Sequence, residues 1–442
     1  MTNERIDPTS EPTAVISDAV SKKSTPLRSI AFLTGVFAGG NLLSMFLRMA
    51  GGALIAKACE PSVLGRFNAI GLVLGYVSFL QLGVLSGFVR ELPYFYGKGD
   101  VKKAHTLASA AQAWALLLGS VIGSALLLVA LWQCLQGRFD LAAGWAANAV
   151  AVFVLFYGQQ YLQFLYRTYG DFSRLAVLNV IQNCLGLALV GLVFIWGFYG
   201  LCARVAILSC ATVFMLWYWR PLHVSPSWDG KELKHLLMIG APIFISTQIH
   251  SFWPVLDATL VFRHLDSHGL GLYSLVIMAS QAANLLPLAV SQIIYPRMVE
   301  EYGRTGKSRN CLRMAVKPTL YLIGGMLPLV TLGWILCPRI ISFIVPKYVE
   351  AIPAVRLALL ASMIQCVDPL ANIFAVTNRM GLYTAAILIG MMSYYAALNL
   401  LISNHASLVM FPLAMIIGQA LYMLSCLFLI WRIQSAEQTA IA

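Results

Sequence analysis

Asn41, Ser44, Arg48 and the pair Gly51 and Gly52 recur at steps of three and four through the apolar stretch NLLSMFLRMAGGALIA, so they share one stripe of a helix. Thr247, His250, Pro254 and Asp257 repeat that spacing, and a third stripe runs through Gln281, Asn284, Ser291, Gln292 and Tyr295. Polar groups on an apolar helix need a protein partner or a water-filled cavity. For Ser, Thr, Asn and Gln, helix-to-helix packing is as good an explanation as a cavity. Charges differ: an ionised group at mid-bilayer costs about 2.5 to 3.5 kcal/mol on insertion scales. Arg48 and Asp257 are therefore expected to be functional or to pair with each other. Asp257, Asp368 and His250 are the candidates for coupling to an ion, H+ or Na+; His250 alone also reads as a hydrogen-bonded packing residue.

These stripes require membrane helices to carry them. The 442 residues are 59% hydrophobic and 11% charged, with mean hydropathy +0.77 and long apolar runs throughout, which predicts an all-α polytopic membrane protein. About 20 apolar residues cross a bilayer core. On that ruler twelve spans fall near 30–56, 67–89, 105–133, 142–165, 175–196, 199–219, 236–262, 270–295, 315–337, 353–376, 382–402 and 408–431. Residues 1–27, rich in Ser, Thr and Pro, read as a disordered cytoplasmic leader. Of the 30 Lys and Arg, 21 lie at the ends shared by both termini and seven at the opposite ends, among them Arg204, so both termini are expected in the cytoplasm. This bias, with attraction to anionic lipid, explains the net charge of +12 without nucleic acid. The nine cysteines show no paired spacing and read as small buried hydrophobes, with a disulfide among Cys59, Cys134 and Cys337 left open.

A gapless shift of 206 lays the first half on the second. Glu60, Leu64, Gly65 and Phe67 fall on Asp266, Leu270, Gly271 and Tyr273, while Tyr96 and Gly97 fall on Tyr302 and Gly303. Gly170 echoes Gly381 at a slightly larger shift. Parallel six-span repeats suit transporters that rock two lobes about a central cavity. The division is an N-lobe at 28–220, a linker at 221–234 and a C-lobe at 235–442. In that register Asn41 meets Thr247, Ser44 meets His250, Gly51 meets Asp257, Ser78 meets Asn284 and Ser86 meets Gln292. Spans one, two, seven and eight are thus expected to line the cavity, with Arg48, Arg90, Arg297, Asn41, Ser44, Gln281, Asn284 and Gln292 as candidate binding residues. Arg90 and Arg297 end spans two and eight, and Arg28 and Lys234 begin spans one and seven. Helix-end cations are commonly solvated anchors, but this symmetric ring suits an anionic headgroup, whose phosphate accepts paired hydrogen bonds from Arg.

The segments CEPSVLGRF, LQLGVLSGFVRELPYFYGKGD (Leu80 to Asp100) and SQIIYPRMVEEYGRTGK (Ser291 to Lys307) resemble the polysaccharide transporters, or Wzx-type flippases, of the multidrug/oligosaccharidyl-lipid/polysaccharide exporter superfamily. The resemblance implies transfer of an undecaprenyl-diphosphate-linked oligosaccharide from the inner to the outer leaflet of a bacterial inner membrane, for O-antigen, capsule or exopolysaccharide. It also implies polysaccharide polymerase and chain-length proteins as partners, and basic residues in the central cavity, a role open here to Arg48, Arg90 and Arg297. Lipid II flippases of the superfamily carry two further spans that this chain lacks. No cofactor is expected; without a P-loop, energy would come from an ion gradient or from consumption of product outside. A drug/cation antiporter of the same superfamily is the rival reading, opposed by the cation at Arg48. A polymerase or ligase enzyme is opposed by the short outer connections, of which the longest is Pro338 to Ile352, and by the lack of a nucleophile with an adjacent base, a metal cluster or a catalytic carboxylate pair.

Overall fold

A computed structural model describes residues 27–402 and 406–439, the side chains of 27–38, 41, 42, 296 and 436–439 excepted. Among the described residues every regular element is helical: α1 (Leu27–Ala58), α2 (Pro61–Val77), α3 (Val84–Lys98), α4 (Val101–Leu135), α5 (Phe139–Phe153), α6 (Gln163–Thr168), α7 (Phe172–Ala188), α8 (Val190–Tyr218), α9 (Gly230–Ala283), α10 (Leu285–Thr305), α11 (Ser308–Ile344), α12 (Ile352–Ile364), α13 (Asp368–Val376), α14 (Met380–Leu401) and α15 (Met410–Thr439). The expected leader lies outside the described residues but for Leu27. All nine cysteines are free.

Nine helices among the described residues are long and apolar enough to cross a membrane. Two of these runs hide a reversal. At Gly197, φ of 52° turns α8 back on itself, so that Arg204 Nε donates to the Gly186 carbonyl at 2.9 Å. At Asp266, φ of 56° does the same to α9 and brings Tyr273 against Asp257. Glycine takes positive φ without steric cost, and aspartate is among the few other residues that tolerate it. With both reversals separated, α7 continued into α8, and α1 added, the helices group into twelve membrane-length spans in the expected order.

The helices overrun their apolar windows because caps, rather than hydropathy, set their ends. Asp100 accepts from Lys103 N at 3.0 Å and starts α4 at Val101, ahead of two lysines. Asp229 accepts from Lys231 N and Glu232 N at 2.9 and 3.3 Å and starts α9 at Gly230. The loop between the halves is therefore shorter than 221–234.

The repeat is visible as matched departures from α geometry. Glu60 and Asp266 occupy equivalent hairpin turns, and Gly99 (φ 83°) and Gly306 (φ 63°) close α3 and α10. Ser78 opens a 3-10 turn, Ser78–Gln81, where its equivalent Asn284 separates α9 from α10. The fourth span passes through a π-helical turn, Val154–Leu162, and the tenth through a 3-10 turn, Gln365–Val367. Such distortions release backbone groups from the i to i−4 ladder.

Between the halves, α2 and α3 lie along α9. A Cβ on Gly271 would fall 1.7 Å from the Pro61 carbonyl oxygen, and one on Gly87 would fall 2.1 Å from that of Leu236, so backbones touch at both ends of this seam. Tyr76 bonds Thr259 at 2.7 Å between them, and Phe79 packs edge-on to Phe252. Ion pairs clamp the ends: Lys103 to Glu232 at one, Lys347 to Glu60 at the other. By contrast α1 packs on α7 and meets the C-half at Gly52, where a Cβ would lie 3.0 Å from the Met278 sulfur.

Candidate functional site

The densest polar cluster among the candidates lies inside the C-half. Asp257 is 4% exposed; its Oδ2 accepts from the Tyr273 hydroxyl and its Oδ1 from that of Tyr394, each at 2.6 Å. It lines a cavity of about 140 Å³ with Ser280, Gln281, Asn284, Ser362, Gln365 and Gln419. An adjoining cavity of about 370 Å³ is lined by His250, Asn284, Ser291, Gln365, Asp368 and Asn372. Asn284 and Gln365 line both, which joins the two carboxylates through one polar wall.

Asp368 opens α13, and its Oδ1 accepts from Tyr422 at 3.4 Å. The Trp253 ring stands 6.4 Å from both Tyr394 and Tyr422 and so separates the tyrosines that hold the two carboxylates. Asn372 donates to Ser291 Oγ at 2.8 Å. The buried Asn284 Oδ1 and Gln419 Oε1 have no donor among the described residues. Local chain geometry creates this convergence: the interruption at Asn284 and the 3-10 turn at Gln365–Val367 face each other. Two carboxylates among amide and hydroxyl oxygens suit a proton or a small hard cation, and no group of three or more His, Cys, Asp or Glu is present among the described residues to favour a transition metal.

The structure thus brings Asp257, Gln281 and Asn284 together, and His250, Asn284 and Asp368 beside them, within the C-half rather than on a cavity shared by both halves. The reason is tertiary. The α9 hairpin turns this face toward α12, α14 and α15, and a stripe on one helix does not reveal which neighbours it meets.

Arg48 lies elsewhere. It is exposed on α1 and makes no ion pair among the described residues, while Asp257 is engaged by two tyrosines, so the expected mutual pair is not formed. The next residue, Met49, and Ala53 line an apolar cavity of about 400 Å³, completed by Met278, Leu286, Met326 and Leu359. Arg90, Arg297 and Gln292 are exposed on α3 and α10. Ser44 is buried, its hydroxyl without a partner among the described residues, and the Asn41 side chain lies outside the described residues.

Sequence reasoning put Arg204 at an outer end; the structure sets it within α8, past the Gly197 reversal and against Gly51 and Gly186. A guanidinium needs the room those glycines leave, and the Gly51 spacing was the available signal. The tyrosines Tyr273, Tyr394 and Tyr422 were not foreseen, since an uncharged aromatic at helical spacing looks like core. The N-half carries a cavity of about 220 Å³ lined by Gln81, Ser86, Gln159, Gln160 and Arg167, with amides and a cation where the C-half has carboxylates.

This arrangement superposes on an inward-facing multidrug resistance MATE family transporter of the MOP superfamily with a TM-score of 0.71, over 90% of this chain and 96% of that one, at 15% identity. The chain has the MOP superfamily fold. Within that fold it is also similar to the lipid II flippase MurJ in its inward closed conformation, with a TM-score of 0.68 at 14% identity over 89% of this chain and 86% of that one. A MOP superfamily transporter from Pyrococcus furiosus Vc1, described as having a binding pocket of reverse polarity that suggests a different function, matches with a TM-score of 0.61 at 15% identity over 92% and 95%. A family model described as polysaccharide biosynthesis protein matches residues 143–348. No curated protein matches the chain. In this chain the α2–α9 seam lies between the two halves, and Arg48, Arg90 and Arg297 are exposed.

Proposed function

We propose that this MOP-fold protein is a flippase. It moves an undecaprenyl-diphosphate-linked oligosaccharide from the inner to the outer leaflet of a bacterial inner membrane by alternating access, for surface polysaccharide synthesis. The observation that carries the reading is on α1: Arg48 is exposed, without an ion pair among the described residues, on the helix whose Met49 and Ala53 line an apolar cavity. A lipid diphosphate needs that juxtaposition, a fixed cation for phosphate beside a dry surface for the polyprenyl chain. The family model over 143–348 and the MurJ likeness support it. Arg90 and Arg297 would meet the headgroup at the mouth, and Gln292 the sugars. Asp257 and Asp368, with His250 beside them, would couple rocking to H+ or Na+. Polymerase and chain-length proteins would take the product.

The deciding experiment deletes the protein and asks where lipid-linked repeat units collect. Accumulation on the cytoplasmic face supports the flippase; normal surface polysaccharide without the protein refutes it. The buried Asp257 and half-buried Asp368 of the C-half favour a second reading, ion-coupled export of cationic drugs. Purified protein in vesicles that exchanges such a cation for H+ or Na+, with no effect on lipid-linked sugars, would select that one.

A further inference from the structure

A cavity of about 880 Å³ opens on the flank of the N-half. None of its lining residues belongs to α1, α2, α3 or the C-half, so it is separate from the proposed transport path. It is the gap between α4 and α8, which both pack on α5 and its π-helical turn. Gly119, Ser120, Gly123 and Ser124 form a shallow wall on α4, with Phe153 below and Phe214 opposite. From Gln112 to Leu127 the lining follows about 22 Å of α4 at 1.5 Å per residue.

One end of this groove is charged. Arg220, just past the end of α8, lies 4.9 Å over the Trp217 ring, and its Nε and Nη1 are buried with no hydrogen-bond acceptor among the described residues. The Tyr157 hydroxyl is within electrostatic and hydrogen-bonding reach of the guanidinium, and no described carboxylate forms an ion pair with it. Buried donors seldom stay without an acceptor. Trp217 lines this end, Tyr218 and Trp219 follow it in the chain, and the linker's Trp228 is in ring contact with Trp114 at 6.1 Å. Such aromatic collars mark the headgroup depth of a membrane. A stacked guanidinium with two free donors at that depth, above an apolar groove, matches a phosphate carrying an acyl chain.

We infer that this groove is a binding site for an anionic phospholipid of the leaflet at the linker end, its phosphate on Arg220 and an acyl chain between α4 and α8. Because no carboxylate among the described residues neutralises Arg220, a headgroup without a compensating ammonium is preferred. The linker residues Val224, Ser225 and Pro226 line the groove beside Arg220. This assignment does not depend on the flippase reading.

The test is native mass spectrometry of the full chain purified into detergent with equal amounts of phosphatidylglycerol and phosphatidylcholine. The wild-type protein should retain one phosphatidylglycerol in preference. Arg220→Gln should lower that retention by about tenfold, the loss expected for charge-assisted hydrogen bonds, and Arg220→Lys by less. Ser120→Trp, at an exposed position of α4, fills the groove while keeping the cation and should lower retention to the same extent; it decides the matter if Arg220→Gln does not fold. Equal retention of the two lipids by the wild type, or undiminished phosphatidylglycerol in the folded variants, overturns the proposal. Displacement of phosphatidylglycerol by equimolar undecaprenyl phosphate also overturns it, since the groove would then belong to the cargo.

Discussion

Tyr394 on α14 donates a 2.6 Å hydrogen bond to Asp257 on α9, a contact between residues 137 positions apart. With Tyr273 on the other oxygen, the carboxylate is oriented from two sides and shut away from Arg48. Tyr394→Phe removes one donor from a buried acceptor and should destabilise the protein by about 1 to 3 kcal/mol, read as a lower unfolding temperature in detergent. Asp257→Asn keeps the shape and removes the charge. Transport by that variant should lose its dependence on an imposed H+ or Na+ gradient while cargo binding survives; unchanged dependence would take Asp257 out of coupling.

Arg48 has no protein partner to lose among the described residues, so its replacement should change stability by no more than about 0.5 kcal/mol. Export should fall nonetheless: very little surface polysaccharide with Arg48→Ala and a partial amount with Arg48→Lys, at matched protein levels. Wild-type export by Arg48→Ala would defeat the headgroup role. Combining Arg48→Asp with Asp257→Arg should not restore folding, because the tyrosines around Asp257 can satisfy a carboxylate but leave a buried guanidinium without an anion.

The α2–α9 seam offers a packing test. Gly271→Ala places a methyl group 1.7 Å from the Pro61 carbonyl oxygen, a backbone atom that cannot swing aside. A loss of about 1 to 3 kcal/mol is expected, measured by thermal unfolding. Gly324→Ala, whose Cβ meets nothing within 4 Å, should leave the unfolding temperature unchanged or slightly raised.

Orientation is tested by cysteine labelling in a background with exposed Cys134, Cys184 and Cys210 replaced. Ser227→Cys and Lys307→Cys should react only once the cell interior is opened, and His268→Cys should react from outside. Ser308 is buried and would report poorly, and Asp266 holds a positive φ that cysteine would strain, so neither is a suitable reporter. Reaction at Lys307→Cys in intact cells would invert the topology.

What the sequence by itself determined were properties that local chemistry sets. Apolar run length determined the twelve crossings, because lipid accepts only helices there. The equivalence of Ser78 with Asn284, and of Glu60 with Asp266, followed from a repeat that preserves breaks and turns. Helical spacing put His250 and Asp257 on one stripe and Asn284 with Gln281 on another. Only the tertiary structure decided what those stripes meet. Tyr394 lies 137 residues beyond Asp257, Tyr422 belongs to the last described helix, and nothing in their own neighbourhoods distinguishes them from core. The same holds for Arg204, Arg220 and Arg48, three arginines near or within apolar runs. One fits against glycines, one stacks over the Trp217 ring and one stays exposed on α1. A side chain's environment is made by the helices packed around it, and that packing is settled by the summed fit of all the faces, which no single stretch of sequence contains.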